Sequence, residues 1–398
     1  MHTQPLPLEG ITVVAVEQAV SAPFATRQLA DLGARVIKVE RLDGGDFARG
    51  YDTAAQGLAS HFVWCNRGKE SLAVDLKDPR GRDIVHRLIA DADVFVQNLA
   101  QGSAARLGLD APTLCAAHPR LIAVDISGYG AGGPYAHKRA YDMLVQCEAG
   151  LVSVTGTSEQ PVKAGVPAAD IAAAMYAFSG VLAALLRRST TGRGGPVEVS
   201  MLESLAEWMG HPLHYGMHGG EPPARTGIAH AVISPYDAYA TADGGQVLLS
   251  VQNDREWRRM ADQILKDPAL GSDPRFATNT ARTTHRELTD AVVAGALSQL
   301  GTEEAVRRLE AAGIACARLN DVKDVAGHPQ LAARDRWREV ETPTGPLKAL
   351  LPPITLPGGP EAQMGAVPAL GEHTSALLKS LGMTDQETAA LRRDSVVA

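Results

Sequence analysis

Apolar positions along the first 200 residues alternate between two periods. ITVVAVE (11–17) is a continuous β-branched run, APFATRQLADLG (22–33) carries apolar residues at helical spacing and ends in Gly, and VIKVE (36–40) returns to the strand pattern. SLAVDL (71–76), then DPRGRDIVHRLIADA (78–92) with Pro79 at a helix start, then VFVQN (94–98) repeat the theme, and LIAVDIS (121–127) adds another strand. Strand, helix, strand units in this order predict an α/β fold: a Rossmann-like large domain with a parallel, helix-covered sheet. TTGRGGP (190–196) stops a long apolar helix, and PVEVSM (196–201) begins another strand. MHGGEPPARTG (217–227) reads as linker, SPYDAYATADGGQVLLSV (234–251) as a strand pair, and 254–326 as mainly helices, which predicts a smaller α+β domain. The expected organisation is 1–200, a linker at 201–225, a small domain at 226–325, and a C-terminal segment at 326–398 with strand and Pro-rich character followed by a polar helix.

Composition narrows the function classes. A chain of 398 residues supports two cores, and its formal net charge of −7 argues against a nucleic-acid surface, which needs a concentrated cationic footprint. Cys65, Cys115, Cys147 and Cys316 stand far apart with no C-x-x-C pair, a usage that fits a reducing cytoplasm and neither a disulfide framework nor a zinc site. The N-terminus has no signal-peptide pattern, and the apolar run after Asp170 is short and Ala-rich for a membrane span, so no membrane partner is expected.

That run raises the main chemical question. In PAADIAAAMYAF (167–178) a single carboxylate, Asp170, precedes a helix expected to be buried on most sides. Asp is a favoured N-cap, so capping stands beside catalysis as a reading. SGYGAGGP (127–134) contains G-x-G-x-x-G, but it follows several strands and is closed by Pro134, which suits a tight loop or a close backbone approach to ligand better than a dinucleotide fingerprint. His211, His214 and His218 share helical spacing without an acidic partner, and no metal site is expected. Arg41, Lys77 and Arg106 follow strands, where a parallel sheet lines its ligand crevice, so they suit a phosphate-bearing ligand.

These segments, with APFATRQLADLGARVIKVER, NRGKESLAVDLKDPRG, AYD (140–142), PVKAGVPAAD (161–170) and TGRGGPVEVSM (191–201), resemble the class III CoA-transferases, the formyl-CoA transferase or CaiB/BaiF family, over nearly the whole chain. The resemblance implies that Asp170 is a covalent nucleophile, that the helix N-terminus holds its carboxylate ionised, and that Arg41, Lys77, Asn98, Arg106 and Arg139 contact CoA. It implies that Gln18 lies near the substrate and Asp142 near the nucleophile. No permanently bound cofactor is implied; CoA enters as acyl-CoA, and an acyl-CoA and a carboxylic acid are the substrates. The architecture implied is an interlocked homodimer in which the C-terminal segment returns to the large domain. Racemases of the same fold place a His where this chain has Tyr141, a poor base at neutral pH, which favours transfer over racemisation. A non-catalytic acyl-CoA-binding protein is the third alternative. RTGIAHAVISPY (225–236) replaces the family's tetraglycine loop and resembles the branch acting on dicarboxylates such as itaconate, mesaconate, succinate or malate, with Arg225 or His230 to hold the remote carboxylate.

Overall fold

Six short runs of β-branched and apolar residues form one sheet in the computed structural model, which describes residues 4–221 and 224–398. The strands are β1 (Thr12–Val16), β2 (Arg35–Glu40), β3 (Lys69–Ala73), β4 (Val94–Gln97), β5 (Ile122–Ser127) and β6 (Gly195–Ser200), in the order β3-β2-β1-β4-β5-β6 with every neighbouring pair parallel. Val13 lies opposite both Val36 and Val94, so β1 is the central strand at which the direction of winding reverses.

Side-chain alternation divides the core into two layers. Val13 and Ala15 of β1 join Val94, Val96, Ile122 and Val124 beneath helices α1 (Ser21–Asp31) and the Ala168–Thr191 helix described below. Val14 and Val16 point the other way, into a layer with Ile37, Val39 and Phe95. That layer is covered by Ile84, Val85 and Leu88 of α2 (Pro79–Ala90) and, from the far end of the chain, by Leu377, Leu378, Leu391 and Val397.

Two further helices bring the chain to the site. Helix α3 (Asp142–Glu148) precedes the 24-residue α4 (Ala168–Thr191), which ends at Gly192 in the left-handed conformation. Ala169, Ala173, Ala177, Val181 and Ala184 recur every three or four residues on α4 and are buried against the sheet layer that α1 shares. At the far end Arg188 is buried and donates to the Asp93 carboxylate at 2.8 Å and to the Arg120 carbonyl at 3.1 Å. Burial on most sides is expected of α4, and the side away from the sheet is open: Met175, Tyr176 and Leu186 are exposed, Leu186 to 71%. Complete, the helix is longer than its uninterrupted apolar run, and by length and composition alone it would span a membrane; here its small-residue face is built into the core.

The chain resolves into two compact units, residues 1–151, 164–211 and 333–398, and residues 152–163 and 212–332. Residues 201–225 differ from the expected linker, because Met201–Trp208 and Gly210–His218 are helical; Ser200 caps the first by accepting from Glu203 N–H, a signal hidden by the Gly and Pro that follow. In the second unit β7 (Tyr236–Ala240), β8 (Gln246–Ser250) and β9 (Ala315–Arg318) form an antiparallel sheet around the fully buried Trp257. Strand β9 falls in the stretch expected to be mainly helical; its Ala-Cys-Ala-Arg sequence lacks strand character, and pairing with β8 supplies the structure instead.

Candidate active site

The winding reversal leaves a crevice at the carboxyl ends of β1 and β4, and one side chain laces it together. Asn98, just after β4, accepts from the Gln18 backbone N–H at 2.9 Å and donates to the Gln18 carbonyl at 2.8 Å and to Ser21 Oγ at 3.2 Å. On the other side the next residue of the turn, Ala19, adopts the left-handed conformation at φ 63° and donates its N–H to Asp46 Oδ1 at 3.0 Å. A non-glycine residue held there is strained, so the surroundings must over-determine it. They do. Asp46 receives the fully buried Lys38 ammonium at 2.8 Å, and Glu17 at the end of β1 receives Lys69 at 2.6 Å and the Thr26 hydroxyl at 2.6 Å. Burial alone would push the Glu17 carboxyl up, but Lys69 and Lys38 outweigh it and the net shift is down. The β1–α1 turn is therefore a fixed platform, and it presents Ser21.

Asp170 faces Ser21. It is the third residue of α4, after Pro167, and its side chain caps nothing; Asp142 Oδ1 does that, accepting from Ala169 N–H at 2.8 Å and Asp170 N–H at 3.3 Å. The N-cap reading of Asp170 is thus corrected: the capping carboxylate comes from α3, which leaves the Asp170 carboxylate uncommitted to its own helix. Burial pushes the Asp170 carboxyl up, the negative charge of Asp142 pushes it further, and the Ser21 hydroxyl and backbone N–H pull it down, leaving it at about 7. The expectation that the helix N-terminus keeps this group ionised is overturned to that extent, since a second carboxylate occupies the helix end. Two phenols complete the surroundings. Tyr51, pushed up to about 12 by burial and then by Asp46, Asp170 and Tyr141, was not singled out by its sequence, whereas Tyr141 was and is 64% exposed. Ser21 was also missed, although a Ser opening a helix after a central strand is a usable signal.

The other expected positions fall into three groups. Arg41, Lys77, Arg106 and Arg139 follow the carboxyl ends of β2, β3, β4 and β5 respectively; Arg41 donates to the Gly45 carbonyl through Nε and Nη2, and Arg106 donates to Ser103 Oγ. Gln18, Asn98, Asp142 and Asp170 belong to the cluster just described. Arg225 and His230 lie in the second unit, and there Arg225 donates one N–H each from Nε, Nη1 and Nη2 to the carbonyls of Thr157, Ser153 and Ser158 at 2.8–3.1 Å, which pins a loop. His230 stacks on Tyr236 at 5.2 Å and accepts Val232 N–H at Nδ1, which places its proton on Nε2.

The glycine loop is explained by packing and by a cavity. A Cβ at Gly128 would lie 2.1 Å from that of Ala140. Gly130 and Gly132 line a cavity of about 430 Å³ whose ionisable lining residues, Asp110, Asp125, Glu198 and Glu203, are all acidic, which does not suit phosphate. His214 and His218 stack at 5.7 Å, and among the described residues no cluster of three His, Cys, Asp or Glu side chains has metal-binding geometry.

Comparison with known proteins identifies the family and the fold. The family model described as CoA-transferase family III matches residues 8–374. A succinate–glutarate CoA-transferase of Agrobacterium fabrum is 34% identical, covering 94% of this chain and 96% of its own. An acetyl-CoA:oxalate CoA-transferase of Acetobacter aceti is 33% identical over 94% of this chain and 95% of its own. Among solved structures, a CAIB/BAIF family protein from Brucella suis superimposes with a TM-score of 0.86 at 32% identity, covering 95% of this chain and all of that one.

Proposed function

Because the chain belongs to CoA-transferase family III, we propose that it moves CoA from an acyl-CoA to a small dicarboxylic acid, with Asp170 as the covalent relay. An oxygen of ionised Asp170 attacks the thioester carbonyl, the C–S bond breaks, and CoA leaves as thiolate from a mixed anhydride. The thiolate then attacks the aspartyl carbonyl; the C–O bond to the donor acyl group breaks, the donor departs as a carboxylate, and an aspartyl-CoA thioester remains. The acceptor carboxylate displaces thiolate from that thioester, and the thiolate attacks the acceptor's acyl carbon, which forms the new acyl-CoA and regenerates Asp170. No net proton is gained or lost.

The observation that carries this reading is the position of Asp170: a carboxylate raised to about 7, free of its own helix, facing the donors of Ser21 above the winding reversal. Such a carboxylate is basic enough to attack, and Ser21 supplies hydrogen bonds to the charge that moves between oxygens. Arg41, Lys77, Arg106 and Arg139 are the cations for the CoA phosphates, with Asn98 and Gln18 fixing the floor. CoA is a substrate, and the chemistry needs no resident cofactor. The dicarboxylate assignment draws on relatives named for succinate, glutarate and oxalate. Two interlocked copies in the cytoplasm complete the reading. Racemisation is disfavoured because Tyr141 stands where racemases of the same fold place a His.

A panel of acyl-CoA donors and mono- and dicarboxylic acids tests the whole. Dicarboxylates should exchange fastest, Asp170→Ala should abolish exchange while the protein stays folded, and hydroxylamine added during turnover should leave its mass on Asp170. Exchange by the Asp170→Ala protein, or an adduct mapped elsewhere, would overturn the mechanism; a preference for monocarboxylates would overturn the substrate class.

A further inference from the structure

Gln146 is 1% exposed, yet it is an amide, and all of that amide is in use. Its Nε2 donates to Asp142 Oδ2 at 2.7 Å and to the Val166 carbonyl at 3.3 Å, and its Oε1 accepts Ala164 N–H at 3.0 Å. Asp142 and Gln146 stand four residues apart on α3 and so share a face, while Ala164 and Val166 belong to the segment that delivers the chain into α4. We propose that Gln146 is a positioning residue for the transfer: it holds Asp142 Oδ2, thereby keeps Asp142 Oδ1 on the first turn of α4, and through that negative charge sets the basicity of Asp170. The proposal rests on the reading of Asp170 as nucleophile and adds to it the device that tunes the nucleophile.

Packing alone would accept a methionine or leucine at this buried site. What an apolar side chain lacks is a donor for Asp142 and partners for two backbone groups, and the side chain that is present meets all three needs. The bond from its amide fixes which way the Asp142 carboxylate faces, with Oδ2 on Gln146 and Oδ1 on the first turn of α4. The groups that face Asp170 are Asp142 from α3, Ser21 from α1 and the phenol of Tyr51, which Tyr141 in turn adjoins; Glu203, on the Met201–Trp208 helix packed against α4, is engaged by Ser200. Asp142 is therefore the one carboxylate whose loss or rotation changes the charge felt by Asp170. The direction follows: without its tether, Asp142 turns away, and Asp170, relieved of a neighbouring negative charge, ionises at lower pH.

The test is the acid limb of kcat/KM for CoA exchange, measured from about pH 5 to pH 9 together with hydroxylamine labelling of Asp170. Gln146→Met should move the limb down by about one pH unit, Asp142→Asn should move it the same way, and the double variant should move it no further than Asp142→Asn alone. Gln146→Glu keeps the shape but, ionised, has no donor for Asp142, so the limb should again move down; this variant decides the matter should the methionine protein fail to fold. Folded variants with labelled Asp170 and an unmoved limb, or shifts that simply add in the double variant, would overturn the role of Gln146 alone. An unlabelled Asp170 in the wild type would instead remove the nucleophile on which it rests.

Discussion

Asp170 destabilises the folded chain by an amount that depends on pH. Its carboxyl moves from an ordinary 3.8 to about 7 on folding, through burial first and Asp142 second, so between those values the folded state binds the extra proton. Stability contributed by the protonated group is complete below the lower value, falls as pH rises through the window, and is gone above the upper one. Asp170→Asn lacks this titration, and its stability advantage over wild type should therefore be small near pH 4, grow to about pH 7 and then level off. Urea unfolding at several pH values measures it, and a difference that stays constant with pH would show that the carboxyl titrates normally. The sequence made Asp170 conspicuous because it is the charged residue opening an apolar helix. It did not disclose Asp142 as the cap, because Asp142 lies 27 residues from Ala169 and on another helix. The same distance hid Asn98, 80 residues from Gln18, as the clamp on the turn that carries Ser21.

At the scale of elements, the alanine stripe of α4 sets how closely the helix approaches its neighbours. Ala173 is fully buried in the layer that α1 shares, and its methyl leaves no space for a longer side chain. Ala173→Leu should cost about 1–3 kcal/mol by overpacking, read as a lower urea midpoint, and should lower exchange as well by displacing the first turn that holds Asp170. An equal loss of stability from a leucine at the exposed Ala183 would count against packing as the cause. Local pattern was a good guide wherever an element is stabilised by its own sequence: β1, β2, β4, β5, β6, α1, α2 and α4 occur close to where the apolar period places them, whereas β3 starts two residues before the SLAVDL run and ends at Ala73. It was a poor guide where tertiary pairing decides, as in β9, and where short helices follow a strand without a break, as in Met201–Trp208. The exposed face of α4 was illegible for a related reason, since periodicity shows that residues are apolar and not which of them the same chain will cover.

For the whole molecule, an apolar face bearing Met175, Tyr176 and Leu186 on a helix whose other side is core suits the two-copy assembly proposed above. Sedimentation at micromolar concentration should give twice the chain mass, and Leu186→Lys should shift the population toward single chains with a loss of exchange; a wild type that sediments as one chain would discard the assembly. The unit that carries Asp170 is also built from distant pieces. Thr374 Oγ1 accepts from Ala73 N–H, a bond that spans 301 residues, and Leu377, Leu378 and Val397 complete the layer over β1 to β4. Between these pieces lies the almost continuous second unit. During synthesis the strands therefore emerge long before their cover, and the intervening unit has all but twelve of its residues in one stretch and can condense first. Contacts of such sequence separation form slowly, so part of one apolar face of the sheet, beyond what α2 covers, waits open while the rest of the chain is made. The order of assembly is then inside out: the unit encoded in the middle of the chain matures first, and the nucleophile-bearing unit is the last to close.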